Sequence, residues 1–149
     1  MACLLDTSIL VRLANSSDPK YPTADRAVVE LHRRGETLHI APQNLVEFRN
    51  VATRPLVANG LGLAGTAAEA KAAVFEAAFP LLEETPQIFP TWKALVAAAG
   101  VIGKQVHDAR LVAICQVYGV EQVMTFNTTH FSTLAAAVAG FTIIDPANV

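Results

Sequence analysis

The stretch ACLLDTSIL (residues 2–10) places an acid inside a run of core residues. Ala2 to Leu5 are apolar, as are Ile9 to Val11, and Asp6, Thr7 and Ser8 stand between them. A short apolar run closed by a polar residue reads as a buried strand. Ile9, Leu10 and Leu13 then fall at helical spacing. A strand that feeds directly into a helix is the start expected of an α/β chain, and a carboxylate sits at the junction.

The rest of the chain repeats that alternation. SSDPKYPT (16–23) is turn chemistry. ADRAVVELHRRG (24–35) reads as a helix closed by Gly35, with Arg33 and Arg34 in the last turn where the dipole favours cations. TLHIA (37–41) is a short strand, and Pro42 and Asn44 open a helix that Pro55 should end or kink. After the loop NGLGLAG (59–65), Thr66 and Glu69 form a capping-box pattern before an Ala-rich helix that Pro80 should bend. QIFP (87–90) is expected to be a strand, with helices over 91–103 and 106–119 behind it. VEQVMTF (120–126) leads into a strand, NTTHF (127–131) reads as a turn, and FTIID (141–145) as the last strand. The expected architecture is an α/β sandwich on a mainly parallel sheet, with the strand-free middle packed beside it.

The chain has 149 residues, of which 52% are hydrophobic, so it is long enough for one domain over residues 1–149 with a sizeable core. No repeat or linker divides it. The longest apolar run, ALVAAAGVIG (94–103), is far short of the ~20 residues that cross a bilayer. The N-terminus lacks a basic leader, and Cys3 and Cys115 lie in apolar surroundings, as expected of core thiols in a reducing, cytoplasmic setting. A net charge of −2 argues against a protein that coats nucleic acid by charge alone; any such contact needs a local basic patch.

Asp6, Glu47 and Asp108 each stand at the entrance of an apolar element, and each has two readings. Each could cap or flank a helix start, Glu47 through its spacing of three from Asn44. Alternatively the three could converge. Asp6 closes a strand, and ligand sites of open α/β sheets lie beyond the strands' carboxyl ends. Glu47 follows the second strand by one helical turn. Asp108 shares a helical face with Leu111, Val112 and Cys115, so it points along the buried side. Converging half-buried carboxylates repel one another unless a cation joins them. A hard ion such as Mg²⁺, held by one or two carboxylates with waters, would meet that need. Asn127, after the strand ending near Phe126, is a fourth candidate, either as a turn residue or as a ligand of a metal-bound water. The four histidines lack a zinc-ligand spacing. His107 is expected to point away from Asp108, and His130 to lie in a turn or in the pocket.

At these residues the chain resembles the PIN-domain ribonucleases, in particular VapC-like toxins of bacterial toxin–antitoxin pairs. The likeness is carried by LLDTSIL, APQNLVEFRNVATRP and VHDARLVAICQVYGVEQVMTFNTTHF, from residue 3 to about residue 145. It implies a PIN-like three-layer α/β/α sandwich and a metal-dependent endoribonuclease. The catalytic set would be Asp6, Glu47, Asp108 and Asn127, with Asp6 and Asp108 on Mg²⁺ or Mn²⁺ and Thr7 and Ser8 in support. His130 stands where the family commonly has a further acid. Arg12, Arg49 and Arg110, the basic residues nearest the acids in sequence, are candidates for gripping phosphates. The implied partners are RNA, a small antitoxin docked beside the helices at 44–58 and 66–84, and a second copy in a homodimer. A phosphotransferase of the haloacid dehalogenase type is disfavoured, because Ser8 occupies the place of its second Asp. A non-enzymatic PIN-like module that holds RNA or a protein is the remaining alternative.

Overall fold

The computed structural model describes residues 1–149. Four short strands, β1 (Ala2–Leu5), β2 (Thr37–His39), β3 (Gln122–Met124) and β4 (Thr142–Ile144), form one sheet in the order β2-β1-β3-β4. Every pairing is parallel: Cys3 lies opposite Leu38, Leu5 opposite Met124, and Val123 opposite Ile143. Parallel strands need crossovers, and seven helices supply them. They are α1 (Thr7–Leu13), α2 (Tyr21–Arg33), α3 (Pro42–Thr53), α4 (Gly65–Ala78), α5 (Ile88–Ala99), α6 (Gln105–Tyr118) and α7 (Thr128–Ala137). Short 3₁₀ turns at Leu56–Ala58 and Pro146–Asn148 complete the chain.

The period-two geometry of β1 divides the core. Cys3 and Leu5 point to one face and pack with Ile9, Leu10, Leu31, Phe48 and Phe75 of α1 to α4. Leu4 points to the other and packs with Leu95, Leu111, Ile114 and Phe131 of α5 to α7. The result is the three-layer α/β/α sandwich, with helices on both faces of an all-parallel sheet. The strand-free middle is accounted for by α4, which lies on α3 with Phe75 edge-on to Phe48 at 5.2 Å between ring centroids.

Several local expectations are corrected. QIFP is the start of α5, not a strand: Pro90 falls in the first helical turn, where a missing N–H costs nothing, and Ile88 is buried. NTTHF opens α7 rather than forming a turn, with Asn127 at the N-cap position. The Thr66–Glu69 capping box does not form, since α4 begins at Gly65 behind Ala64, and Glu69 pairs instead with Arg49 at 2.6 Å. Pro80 does not bend α4. The helix has ended at Ala78, and Phe79, the residue before the proline, is extended (φ −125, ψ 120). Residues 80–82 then run beside the chain at Ile40, whose N–H donates to the Pro80 carbonyl at 3.2 Å. α3 does open at Pro42 with Asn44 in its first turn; Ala41 holds the N-cap position, and its N–H donates to the Asn44 side-chain oxygen at 2.8 Å. The predicted end of α6 does hold, with Gly119 in the left-handed region (φ 68) that a C-cap glycine adopts without Cβ strain.

Candidate active site

Parallel strands deliver their carboxyl ends to one edge, and the next helix starts there. At that edge an open cleft of about 850 Å³ is lined by Asp6, Glu47, Asp108 and Asn127 together. Only four of its 20 lining residues are hydrophobic. The three acids come from the end of β1, the second turn of α3 and the first turn of α6. Their two readings are compatible at Asp6, which both N-caps α1 and faces the cleft.

Asp6 is 5% exposed and is held by hydroxyls. Its Oδ2 accepts from Ser8 Oγ at 2.8 Å, from Thr125 Oγ1 at 2.7 Å and from the Ser8 N–H at 3.4 Å. Ser8 Oγ in turn accepts the Phe126 N–H at 3.1 Å, and Thr125 Oγ1 accepts the Asn127 N–H at 2.9 Å. This network ties the end of β1 to the end of β3 and fixes one oxygen of Asp6. Its Oδ1 makes no protein hydrogen bond and is not sealed from solvent.

A second relay holds Glu47. Asn44 Nδ2 donates to Thr7 Oγ1 at 3.2 Å, and Thr7 Oγ1 donates to Glu47 Oε1 at 2.8 Å. Burial pushes the Glu47 carboxyl up from its ordinary range; the Thr7 bond opposes this and the charge of Asp6 adds to it. Asp108 has no such support. Its pKa is pushed up to about 7, first by burial and then by Asp6 and Glu47. Half-buried carboxylates facing one another without a cation behave in this way.

The carboxylates offer a cation hard oxygen donors, which suits a divalent ion bound through oxygen. As placed, no three acids or histidines stand close enough to enclose an ion unaided. An ion there would be held by one or two carboxylates and completed by water, the usual arrangement for Mg²⁺.

The basic residues sort differently from their order in sequence. Arg12 lines the cleft, 3.6 Å from Asp18 and over the Phe126 ring. Arg49 is bound to Glu69, and Arg110 to Glu84 at 2.7 Å and to Gln43; neither lines the cleft. Lys104, Arg54, His107 and His130 do line it. His107 shares the cleft with Asp108. Sequence reasoning passed over Asn50 and Arg54, although with Glu47 they repeat at i, i+3 and i+7 along α3 and share one face. It also passed over Thr125 and Asn44, both fully buried, whose partners lie on other elements.

Thr125 offers a direct test of the hydroxyl network. Thr125→Val keeps the shape but removes a donor to Asp6 and an acceptor for Asn127. Urea unfolding should show a loss of about 1–3 kcal/mol, the cost of leaving buried polar groups unpaired. An unchanged midpoint would mean that water replaces both bonds.

An acidic cleft at the carboxyl edge of an all-parallel α/β/α sandwich defines the class. Residues 3–137 match the PIN domain model, and the chain belongs to the PIN domain family. Solved structures share its fold over nearly their full length. A Rickettsia felis VapBC2 complex bound to promoter DNA is 16% identical with a TM-score of 0.68, over 97% of this chain and 98% of that one. Mycobacterium tuberculosis VapC20, a toxin that cleaves the sarcin–ricin loop, is 20% identical with a TM-score of 0.64, over 93% and 97%. VapBC-1 of nontypeable Haemophilus influenzae is 16% identical with a TM-score of 0.66, over 98% of each chain. No curated protein sequence matches the chain. No helix is long and apolar enough to cross a membrane.

Proposed function

We propose that this PIN domain is a divalent-metal-dependent endoribonuclease and the toxin of a toxin–antitoxin pair. The observation that carries the reading is Asp108. It is a half-buried carboxyl with no protein hydrogen bond, pushed up to about 7 by burial and by the two acids it faces. A packed protein gains nothing from that arrangement unless something cationic binds there. The full-length likeness to VapC proteins supports the class of reaction.

In this reading Asp6, through its unpaired Oδ1, and Asp108 hold Mg²⁺ or Mn²⁺. When bound, the ion supplies Lewis acidity toward a phosphodiester and lowers the pKa of water. The chain's own residues do the rest. Thr7 and Asn44 orient Glu47 so that its free oxygen can accept a proton from water, and Ser8 and Thr125 hold Asp6 in place. The Asn127 amide orients the attacking water or an acid. Positive groups at the cleft wall, Arg12 among them, position the strand in this reading.

The antitoxin would cover α3 and α4, where Val46 and Val74 are exposed, and mask the cleft. The toxin would act in the cytoplasm as a homodimer. Purified, antitoxin-free protein should cleave RNA with Mg²⁺ or Mn²⁺ and stop with EDTA. Asp6→Asn should abolish cleavage while leaving the circular dichroism spectrum intact. A protein that binds RNA but never cuts it with either ion would instead be a binding module.

A further inference from the structure

The cleft extends beyond the acids along α3. Glu47, Asn50, Val51 and Arg54 line it on one helical face. Seven residues at 1.5 Å each set Arg54 about 10 Å along the axis from Glu47. Arg54 is the C-cap of α3: its φ of −65 is still helical, and its ψ of 142 turns the following chain out of the helix.

The following segment, residues 55–63, folds back as a hook around this position. The Gly62 N–H donates to the Arg54 carbonyl at 2.9 Å, Leu61 N–H to Val51 at 3.0 Å and Leu63 N–H to Ala52 at 2.9 Å. These bonds satisfy the last carbonyls of α3 and make the loop rigid. Asn59 takes the left-handed conformation (φ 59) that lets the chain reverse. Gly60 lies so close that a Cβ there would meet the Arg54 carbonyl oxygen at 1.9 Å and the Arg54 Cβ at 2.5 Å. The glycine is required because the backbone presses on the arginine's root.

Arg54 is therefore held at the cleft wall by its surroundings, yet no acid neutralises it. Arg12, Arg33, Arg34, Arg49 and Arg110 each pair with a carboxylate; Arg26 and Arg54 do not, and of these two only Arg54 lines the cleft. Its Nε is sealed from solvent without a hydrogen-bond partner. An unpaired guanidinium rooted in a fixed stretch of backbone at the cleft wall is a ready anion site, because its planar fork suits phosphate oxygens.

We propose that Arg54 binds a backbone phosphate of the substrate strand flanking the one at the acids, and so sets the strand's path along α3. The assignment rests on the nuclease reading for its substrate, but not on cleavage for its test. Binding of a short single-stranded oligoribonucleotide is measured without divalent metal, across a salt series, for the wild type, Arg54→Gln and Arg54→Lys. Arg54→Gln keeps the stem that packs on Gly60, and thermal melting checks that the fold survives. It should weaken binding on the order of tenfold and reduce the slope of log K against log salt by about one. Arg54→Lys should recover the slope and only part of the affinity, since an ammonium lacks the fork. With Mn²⁺ present, Arg54→Gln should raise KM while kcat stays within about twofold, the signature of lost uniform binding. If the wild type binds but does not cleave, and Arg54→Gln still lowers affinity and slope, the nuclease reading falls and the phosphate subsite stands. Equal affinity and slope in the folded Arg54→Gln variant would overturn the subsite, as would a wild type that binds no RNA.

Discussion

Asp108→Asn should abolish cleavage and, in the same protein, raise the stability of the metal-free fold. The first effect follows from its proposed place on the ion. Charge stabilisation of several kcal/mol depends on that contact, so the rate should fall on the order of 10³-fold. The second follows from linkage. Asp108 titrates at about 7 in the folded chain against an ordinary 3.8. A raised carboxyl binds its proton more tightly when folded, so the folded state is favoured below the unfolded pKa. That contribution is lost as pH rises from about 4 through about 7. The full shift corresponds to about 4 kcal/mol, and solvent reaching the half-buried group reduces it to ~1–2 kcal/mol. At pH 8 the variant should therefore melt roughly 2–8 °C above the wild type, at ~2–4 °C per kcal/mol for a chain of this size. Near pH 4 the two should melt together. Mn²⁺ should stabilise the wild type much more than the variant. Melting curves at the two pH values decide it: no gain at pH 8 removes the repulsion between the acids, and undiminished cleavage removes Asp108 from the machinery.

The largest loss of stability is expected from Phe48→Ala. Phe48 is fully buried, next to Glu47 on α3, with Phe75 edge-on to its ring at 5.2 Å. It joins α3 to α4 and to the β1 face of the sheet. Removing the ring forfeits its transfer energy and leaves a cavity that helices fixed to a sheet cannot close, at a cost of about 3–5 kcal/mol. Against a total of roughly 5–15 kcal/mol, that is a large fraction. Guanidinium unfolding should show the drop, with a melting temperature lower by roughly 10 °C. Cleavage below the new midpoint should persist if α3 keeps its axis, because Glu47 is also held by Thr7 and Asn44. A loss under 1 kcal/mol would mean that the core collapses around the gap.

Much of the frame was legible because it is local. The β1–Asp6–α1 junction, the apolar stripe of α2 and the stop at Gly119 follow from period, capping and chain sterics. The errors were local as well. QIFP was read as a strand because a short apolar run does not state its period, and Pro90 counts against a helix only outside the first turn. At NTTHF, turn residues and N-cap residues have the same chemistry, so the start of α7 was hidden. Pro80 was correctly seen to disturb a helix, but whether it bends or ends one depends on Ile40, forty residues away, which pairs with the segment that follows.

By itself the sequence determined the alternation of strand and helix, the placing of acids at the entrances of elements, and the order of motifs that marks a PIN domain. Each element and each motif is written within a short run of consecutive residues. Only the tertiary structure decided which charges meet. Arg49 and Arg110, close to the acids in sequence, are taken up by Glu69 and Glu84, while Arg54 and Lys104 reach the cleft. Thr125 proved to hold Asp6 from 119 positions away. The reason is that electrostatic and hydrogen-bond partners are chosen by distance in space. A parallel sheet brings together the ends of strands that its crossovers keep far apart in the chain.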